Sequence, residues 1–279
     1  MKMPEPKTTD GPEVLNNFKI LVYGEAGWGK TTQAGFLQEK YGKTLILSGE
    51  AGLMSLSEKK IPYYQFSTWS AEPDQEDTYS LADLAEHLHS KEFAEQGYKV
   101  IMVDSLSEAS YLLMKETQEA GIVGWDMWSH VKSQMLAMVK KIRDLPYHVI
   151  CTSLKTERQN KDGVTEYWPS ICNRSTQEDV CGIFDFVFGV AKLPTPWRNE
   201  DNTIAKTTTE RYVIAGQHEG WKGKTREPSR ADRDPRIRDV TRCGNITELL
   251  SSLEMSEDDW QKKHKVKLKQ TETNLGEVA

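Results

Sequence analysis

The chain has 279 residues, of which 28% are charged and 37% hydrophobic, and its formal net charge is -6 at pH 7. This length suits one large α/β domain, and the acidic balance excludes a surface that is basic all over, so any nucleic-acid surface must be local. No apolar run approaches the roughly 18 residues of a membrane helix, and the polar first residues do not form a signal peptide. We therefore expect a cytoplasmic protein without membrane contact.

The first feature along the chain is a strand followed by a glycine-rich loop. Residues 1–16 are typical of a flexible arm, and Phe18–Tyr23 is an apolar, β-prone run. The strand leads into Gly24-Glu25-Ala26-Gly27-Trp28-Gly29-Lys30-Thr31-Thr32, which fits G-x-x-x-x-G-K-[ST]. The pattern predicts a phosphate-binding loop, in which backbone N–H groups and the positive end of the following helix face the anion.

The loop residues have distinct expected roles. Lys30 would reach the β- and γ-phosphates of ATP, and the Thr31 hydroxyl would ligate Mg²⁺. The following helix is expected from Thr31 to about Tyr41, with Gly42 after its end. Small residues are usual at the position of Trp28, so we expect its ring to point outward or to pack on a neighbour.

Three further strands end in polar residues. Thr44–Leu47 leads to Glu50, Tyr98–Val103 leads to Asp104, and Tyr147–Cys151 leads to Ser153. Because parallel strands present their carboxyl ends at one edge of a sheet, these side chains are expected beside the nucleotide. Asp104 has the position of an acid that holds the Mg²⁺ shell, although an N-cap of the next helix explains it about as well.

The remaining pattern indicates an α/β fold. Helical spacing predicts an amphipathic helix over Ser80–Gln96 and a long one over Trp128–Ile142, while Pro62–Thr68 is expected as an edge strand. Strands that alternate with helices favour a mainly parallel sheet flanked by helices. Beyond Pro169 we expect strands that extend this sheet in antiparallel fashion and a short helix over Ile246–Leu253. The strands are expected at Ile183–Ala191, Thr203–Thr209 and Arg211–Ala215.

The order of three elements resembles a known family. Gly24–Thr32, the strand-end Glu50 and the run Val100–Ser105 are similar to the nucleotide-binding elements of RecA-type recombinases. The resemblance is closest to the compact, core-only RecA-like ATPases of bacteriophages that act as single-strand annealing proteins. It implies a RecA-like P-loop ATPase core over 17–255 and location in the host cytosol for a phage protein. The polar composition of 256–279 predicts a Lys-rich tail after this core.

The resemblance also implies a mechanism and partners. In that family the strand-end glutamate polarises the attacking water, which implies this role for Glu50; a surface loop acid is the alternative. Hydrolysis would be stimulated by single-stranded DNA, with a homo-oligomeric ring or filament and a single-strand binding protein as further partners. RecA proteins carry a glutamine or similar γ-phosphate sensor where Thr152-Ser153 stands here, which puts the coupling of hydrolysis to DNA binding in question.

Basic residues provide the candidate DNA and subunit contacts. The predicted DNA-binding loop or hairpin, which follows the fourth strand, contains Lys155, Arg158, Lys161, Tyr167 and Trp168. Cations can track phosphates while aromatic rings stack on bases. A second lysine cluster lies in the tail over 262–269, where a solubilising charge run is at least as good an explanation.

Lys224 and Arg226 resemble the basic pair that completes the site of a neighbouring RecA protomer. A solvated basic loop explains these two residues equally well. Two other classes of protein also remain open. A small-molecule kinase could use the basic Lys222–Arg238 segment as a lid. An AAA+ loader or remodelling ATPase normally has two adjacent acids, whereas Ser105 follows Asp104 here.

Overall fold

The computed structural model describes residues 17–50, 52–199, 201, 203–227, 236–255 and 259. The expected arm over 1–16 and, apart from residue 259, the expected tail over 256–279 lie outside the described residues. The lysine cluster of the tail is therefore outside them as well.

The structure alternates strands and helices through most of its length. The strands are β1 (Lys19–Gly24), β2 (Thr44–Ser48), β3 (Tyr63–Thr68), β4 (Thr78–Ser80), β5 (Val100–Asp104), β6 (His148–Gln159), β7 (Thr165–Pro169), β8 (Phe186–Arg198), β9 (Ile204–Ile214), β10 (Gln217–His218), β11 (Trp221–Lys222) and β12 (Val240–Arg242). The helices are α1 (Gln33–Tyr41), α2 (Leu81–His87), α3 (Lys91–Ala94), α4 (Leu106–Glu119), α5 (Gly124–Arg143), α6 (Arg174–Ile183) and α7 (Ile246–Glu254), with a 3-10 helix over Leu53–Lys59.

The main sheet has the strand order β12-β9-β8-β1-β6-β5-β2-β3-β4. Strands β8, β1, β6, β5, β2, β3 and β4 are mutually parallel, whereas β9 pairs antiparallel with β8 and β12 pairs antiparallel with β9. The predicted fold class is confirmed: a mainly parallel sheet flanked by helices, with antiparallel strands at one edge. Strand β6 lies between β1, which leads into the phosphate loop, and β5, which ends at Asp104.

Some predicted elements were wrong in detail. The helix expected over Ser80–Gln96 is two short helices, because the hydroxyl of Ser90 accepts the Phe93 N–H and starts a new helix. Strand β3 is not an edge strand, since β4 pairs with its outer side. Two helices, α4 and α6, were not anticipated, and α4 begins directly after Asp104 with Ser105 as its N-cap.

The sheet is buried on both faces. On one face, helices α2 to α6 cover a large cluster that includes Leu21, Val103 and Val131. On the other, α1 and α7 cover a second cluster that includes Val22 and Leu250. Because helices exclude water from both faces of the sheet, its strands are continuous hydrophobic runs.

Two strands continue past the sheet edge at which the phosphate loop lies. Strand β6 pairs with β1 as far as Leu154 and then continues as a hairpin with β7. Strand β8 pairs with β1 as far as Val190 and then continues as a hairpin with β9. The two hairpins therefore rise on either side of the phosphate loop.

Candidate nucleotide-binding site

The phosphate-binding loop joins the central strand β1 to helix α1. Gly27 and Gly29 have φ angles of 75° and 103°. Side chains with a Cβ rarely adopt this left-handed region, so glycine is needed at both positions. The loop thus has the backbone freedom that an anion-binding concavity requires.

Lys30 folds back over this loop. Its Nζ donates to the carbonyl oxygens of Gly24 at 3.0 Å and Glu25 at 2.9 Å. The side chain is buried, and burial lowers the pKa of Lys30, while the carboxylates of Asp104 and Glu50 oppose that shift. The ammonium therefore lies inside the loop that would surround the phosphates.

Asp104 contacts the loop directly. Its Oδ2 accepts a hydrogen bond of 2.6 Å from the Thr31 hydroxyl, and its Oδ1 accepts one from the Thr152 hydroxyl on β6. Asp104 is 6% exposed, so these donors replace the water that would otherwise solvate its charge. The structure brings together the two residues that sequence analysis proposed as Mg²⁺ ligands.

Glu50 lies in the same cleft and is held by Ser105, the residue that follows β5. Its Oε1 accepts a hydrogen bond of 2.7 Å from the Ser105 hydroxyl, and its backbone carbonyl accepts one of 2.5 Å from the Ser48 hydroxyl. The carboxylate is exposed to solvent. A cleft of about 340 Å³ is lined by Lys30, Thr31, Glu50, Asp104, Ser105 and residues of the phosphate loop.

Ser153 does not line this cleft. Its side chain is fully buried, and its Oγ lies 3.0 Å from the Ser107 Oγ on helix α4. Successive residues of a strand point to opposite faces, so Thr152 contacts Asp104 while Ser153 faces the core. The proposed nucleotide contact of Ser153 has no support from this geometry.

Trp28 is an anchor of the loop. Its ring is fully buried in the cluster that also contains Leu37 and Leu250. Of the two orientations expected from sequence, packing on neighbours is therefore observed. Its indole N–H has no hydrogen-bond partner within the described residues, an arrangement that costs about 1–3 kcal/mol and that the burial of a large ring offsets.

The predicted DNA-contacting residues lie on the β6–β7 hairpin, mostly engaged with carboxylates. Arg158 pairs with Glu166 and Glu178, and its guanidinium lies 3.8 Å from the centre of the Trp168 ring. The other contacts are Lys155 with Glu25 and Glu157, Lys222 with Glu166, and Tyr167 stacked on Trp221. Three cations therefore meet four carboxylates, which leaves no excess of positive charge among them. Lys161 is exposed in the turn.

The ion pairs also set the charge state of Glu166. Lys222, Trp168 and Arg158 lower the pKa of this carboxyl to about 2. It is therefore ionised throughout the neutral range and holds the hairpin together.

Lys224 and Arg226 have structural partners in this chain. The Lys224 Nζ donates to the carbonyls of Gly182 at 2.9 Å and Phe184 at 2.7 Å, at the end of helix α6. Arg226 pairs with Asp185 at 3.1 Å. Both residues lie at the amino end of β8, on the sheet edge opposite the phosphate loop. The contacts of Lys224 are those of a helix C-terminal cap.

Several residues of the site could not be predicted from the sequence. Thr152 and Ser105 orient the two carboxylates, and no motif distinguishes a hydroxyl that contacts an acid from any other. Lys192 and Arg211, on the β8–β9 hairpin, lie at the mouth of the loop, and Arg211 lines the cleft. They come from a part of the chain that showed only strand periodicity.

Comparison with known proteins places the chain in a family. No curated protein matches it. Residues 16–227 match a family model described as an AAA domain, which is more than half of the chain. In the part of the chain that the structure describes, none of the helices has the length and apolar character needed to cross a membrane. The chain belongs to the AAA domain family of P-loop ATPases.

Proposed function

We propose that this chain is a Mg²⁺-dependent ATPase whose reaction takes place at the carboxyl ends of β1, β2 and β5. The observation that carries the proposal is the pair of neighbouring contacts at the end of β5. Asp104 accepts from Thr31 of the phosphate loop, and Ser105 donates to Glu50. One strand end thus connects a metal-ligand pair to an acid that faces solvent.

The donor set fits Mg²⁺. A threonine hydroxyl and a carboxylate are hard oxygen donors, and Mg²⁺ is usually bound by one or two such groups together with phosphate oxygens and water. When bound, the ion would neutralise charge on the β- and γ-phosphates. Thr31 and Asp104 would hold it, and Thr152 would keep the Asp104 carboxylate oriented, as outer hydrogen bonds do at metal sites.

The protein's own groups supply the remaining steps. Lys30 would leave the loop carbonyls and stabilise the negative charge of the transferred phosphoryl group. Glu50 would accept a hydrogen bond from the attacking water and align it with the γ-phosphate. Ser105 would hold Glu50 in place by donating to the oxygen that does not face the water.

This arrangement distinguishes the proposal from a remodelling ATPase with paired acids. In such an enzyme a second acid would follow Asp104, whereas here Ser105 occupies that position and donates to Glu50, which lies just after β2. The adjacent-strand glutamate is the feature that supports a RecA-like chemistry. The kinase alternative has less support, because several described cations of its candidate lid have partners within the chain. Lys222 pairs with Glu166 and Arg226 with Asp185, while Lys224 and Arg236 donate to backbone carbonyls.

We further propose that hydrolysis serves a single-strand annealing or recombination activity on single-stranded DNA. The support is the resemblance of the three nucleotide-binding elements. The ion pairs of the β6–β7 hairpin mean that DNA contact there would require carboxylate partners to be exchanged for phosphates. Assembly into a ring or filament belongs to the same proposal, and sizing with a non-hydrolysable ATP analogue tests it.

One experiment separates these functions. Formation of ADP and release of phosphate from ATP are both measured with and without Mg²⁺, with and without a mixed-sequence single-stranded oligonucleotide, and with candidate small-molecule acceptors. The proposal predicts Mg²⁺-dependent release that the oligonucleotide increases. A kinase transfers the γ-phosphoryl group to its acceptor, so formation of ADP that occurs only with an acceptor, without release of phosphate, would support a kinase. The absence of both products would contradict the ATPase.

A further inference from the structure

The β8–β9 hairpin brings two cations to the mouth of the phosphate loop. A Cβ at Gly27 would lie 3.7 Å from the Lys192 Nζ, and a Cβ at Gly29 would lie 3.9 Å from the Arg211 Cζ. Lys192 and Arg211 are directly opposite each other in the hairpin register. Their side chains therefore leave the same face of the hairpin toward the loop.

The two charges are unfavourable as they stand. Directly opposed like charges destabilise a strand pair, and within the described ranges neither side chain has a hydrogen-bond or ion-pair partner. Both are exposed. The pair next to them along the same face, Val190 and Val213, is buried in the core beside Trp28. The change from apolar to cationic residues therefore coincides with the level of the phosphate loop.

The position of Arg211 is fixed by the fold. Its aliphatic stem crosses Gly244, where an added Cβ would lie 3.4 Å from the Arg211 Cδ. The buried Gln33 ties that segment to the loop, because its Nε2 donates to the carbonyls of Gly29 at 2.9 Å and Gly244 at 3.1 Å. Gly244, which the Arg211 stem crosses, is thus tied to the loop, and the guanidinium lies near the loop without a direct bond to it.

The net charge of the site also favours a role for these two cations in binding the nucleotide. The side chains of Lys30, Asp104 and Glu50 together carry one net negative charge, and a magnesium-bound ATP carries about two more. Two additional cations change the charge of the site without nucleotide from one negative to one positive, and they offset most of the negative charge once the nucleotide is bound. Arg211 also lines a second cleft of about 570 Å³, together with Arg242, Cys243 and Glu248. It therefore borders both the cleft at the phosphate loop and a neighbouring cleft that could receive the rest of a nucleotide.

We propose that Arg211, assisted by Lys192, binds the phosphates of the nucleotide held by its own protomer. This inference rests on the proposed ATP site and replaces Lys224 and Arg226 as the source of additional cations for it. Arg211 would make charge-assisted hydrogen bonds near Gly29, where the loop cradles the α- and β-phosphates. ATP and ADP should therefore depend on it equally.

Equilibrium titration with a fluorescent ADP analogue and a fluorescent non-hydrolysable ATP analogue tests this. Arg211→Ala should weaken both by about 10- to 100-fold, and Lys192→Ala by up to about fivefold. Lys206→Ala, which removes the same charge from the same strand near Trp197, is the matched control and should change neither affinity. Arg211→Lys should lie between wild type and Arg211→Ala, and thermal melting confirms that each variant is folded.

A mixing experiment separates action within one protomer from action between neighbours. If Arg211 acted on the next protomer, combining Arg211→Ala with Lys30→Ala would restore complete sites and tight binding. We expect no restoration, and recovery would overturn the assignment to the same protomer. Unchanged affinity in Arg211→Ala, with tight binding by wild type, would overturn the inference alone. Wild-type protein that binds neither nucleotide would overturn the ATP site itself.

Discussion

Two hairpins flank the phosphate loop, and they use basic residues in opposite ways. On the β6–β7 hairpin, Lys155 and Arg158 are paired with carboxylates and covered by aromatic rings. On the β8–β9 hairpin, Lys192 and Arg211 face the loop without a counter-charge among the described residues. Whether a cation is available to bind a ligand therefore depends on its partners. A count of lysines and arginines along the sequence does not show which cations are available.

The largest effect is expected where a cation lies inside the loop. Lys30→Ala should lower ATP turnover by at least roughly 100-fold, because it removes a preorganised charge from the phosphoryl group, and it should also weaken ATP binding. Lys155→Ala is the matched control, since its ammonium is already held by Glu25 at 3.0 Å. Phosphate release with parallel nucleotide titration is the measurement. Equal losses in both variants would contradict the distinction between the two hairpins.

A smaller effect is expected at the hydroxyl that orients Asp104. Thr152→Val removes a donor from a buried carboxylate, and such a bond is worth about 1.5–3 kcal/mol. The Mg²⁺ concentration for half-maximal turnover should rise by roughly tenfold or more. Ser153→Ala is the control, because that hydroxyl lies 3.0 Å from the Ser107 hydroxyl and faces away from the cleft. If only Ser153→Ala raised this Mg²⁺ concentration, Ser153 and not Thr152 would be the residue that supports the metal site.

The ion pairs of the β6–β7 hairpin should matter for stability more than for nucleotide binding. Glu166→Ala leaves Arg158, Lys222 and the Trp168 N–H without their shared acceptor, and should lower the free energy of unfolding by about 1–3 kcal/mol. Urea unfolding at neutral pH measures this. The exposed Glu157→Gln should cost less than about 1 kcal/mol, and similar costs for both would argue against a specific network.

The lowered pKa of Glu166 predicts that its contribution to stability depends on pH. Its pKa falls from 4.5 to about 2 on folding, so its contribution to stability is complete above pH 4.5 and is lost as the pH falls toward 2. The stability difference between wild type and Glu166→Ala should therefore be constant from pH 7 to 5 and shrink below pH 4.5. Urea titrations across this range check the sign, and a difference that grows on acidification would contradict it.

The smallest effect is expected for DNA at this hairpin. A base stacked on a free aromatic ring is worth about 1–3 kcal/mol, but the Arg158 guanidinium already covers the Trp168 ring at 3.8 Å. Trp168→Ala should therefore change affinity for a labelled single-stranded oligonucleotide by less than about threefold at low salt. The double variant Glu25→Gln with Glu157→Gln frees Lys155 and should strengthen binding. A tenfold loss of oligonucleotide affinity in Trp168→Ala would instead indicate that this hairpin contacts DNA.

The nucleotide-binding elements could be predicted because they are local. The spacing of Gly24, Gly29 and Lys30 encodes the loop directly, and Glu50 and Asp104 each follow an apolar strand of a parallel sheet. Such strand ends meet at one edge whatever the rest of the chain does. Thr31 and Asp104, each predicted to lie beside Mg²⁺, are in contact for this reason.

The remaining features depend on register and on distant partners. Lys192 and Arg211 meet because of the pairing of β8 with β9, which strand periodicity does not fix. The acids that neutralise Lys155 and Arg158 come from the phosphate loop, β6, β7 and α6, so the cluster resembled a free basic surface in the sequence. The helix expected over Ser80–Gln96 failed for a local reason, because the capping hydroxyl of Ser90 outweighed the apolar periodicity.

The most direct test of the account is a comparison of binding and hydrolysis in Glu50→Gln. The variant keeps the size and hydrogen-bonding capacity of the side chain, so the contact with Ser105 at 2.7 Å can persist. It removes the charge that would polarise water. We predict wild-type affinity for ATP, within about threefold, together with a loss of hydrolysis of roughly 100-fold or more. Hydrolysis of ATP at the wild-type rate would contradict the assignment of Glu50 and, with it, the proposed hydrolytic site.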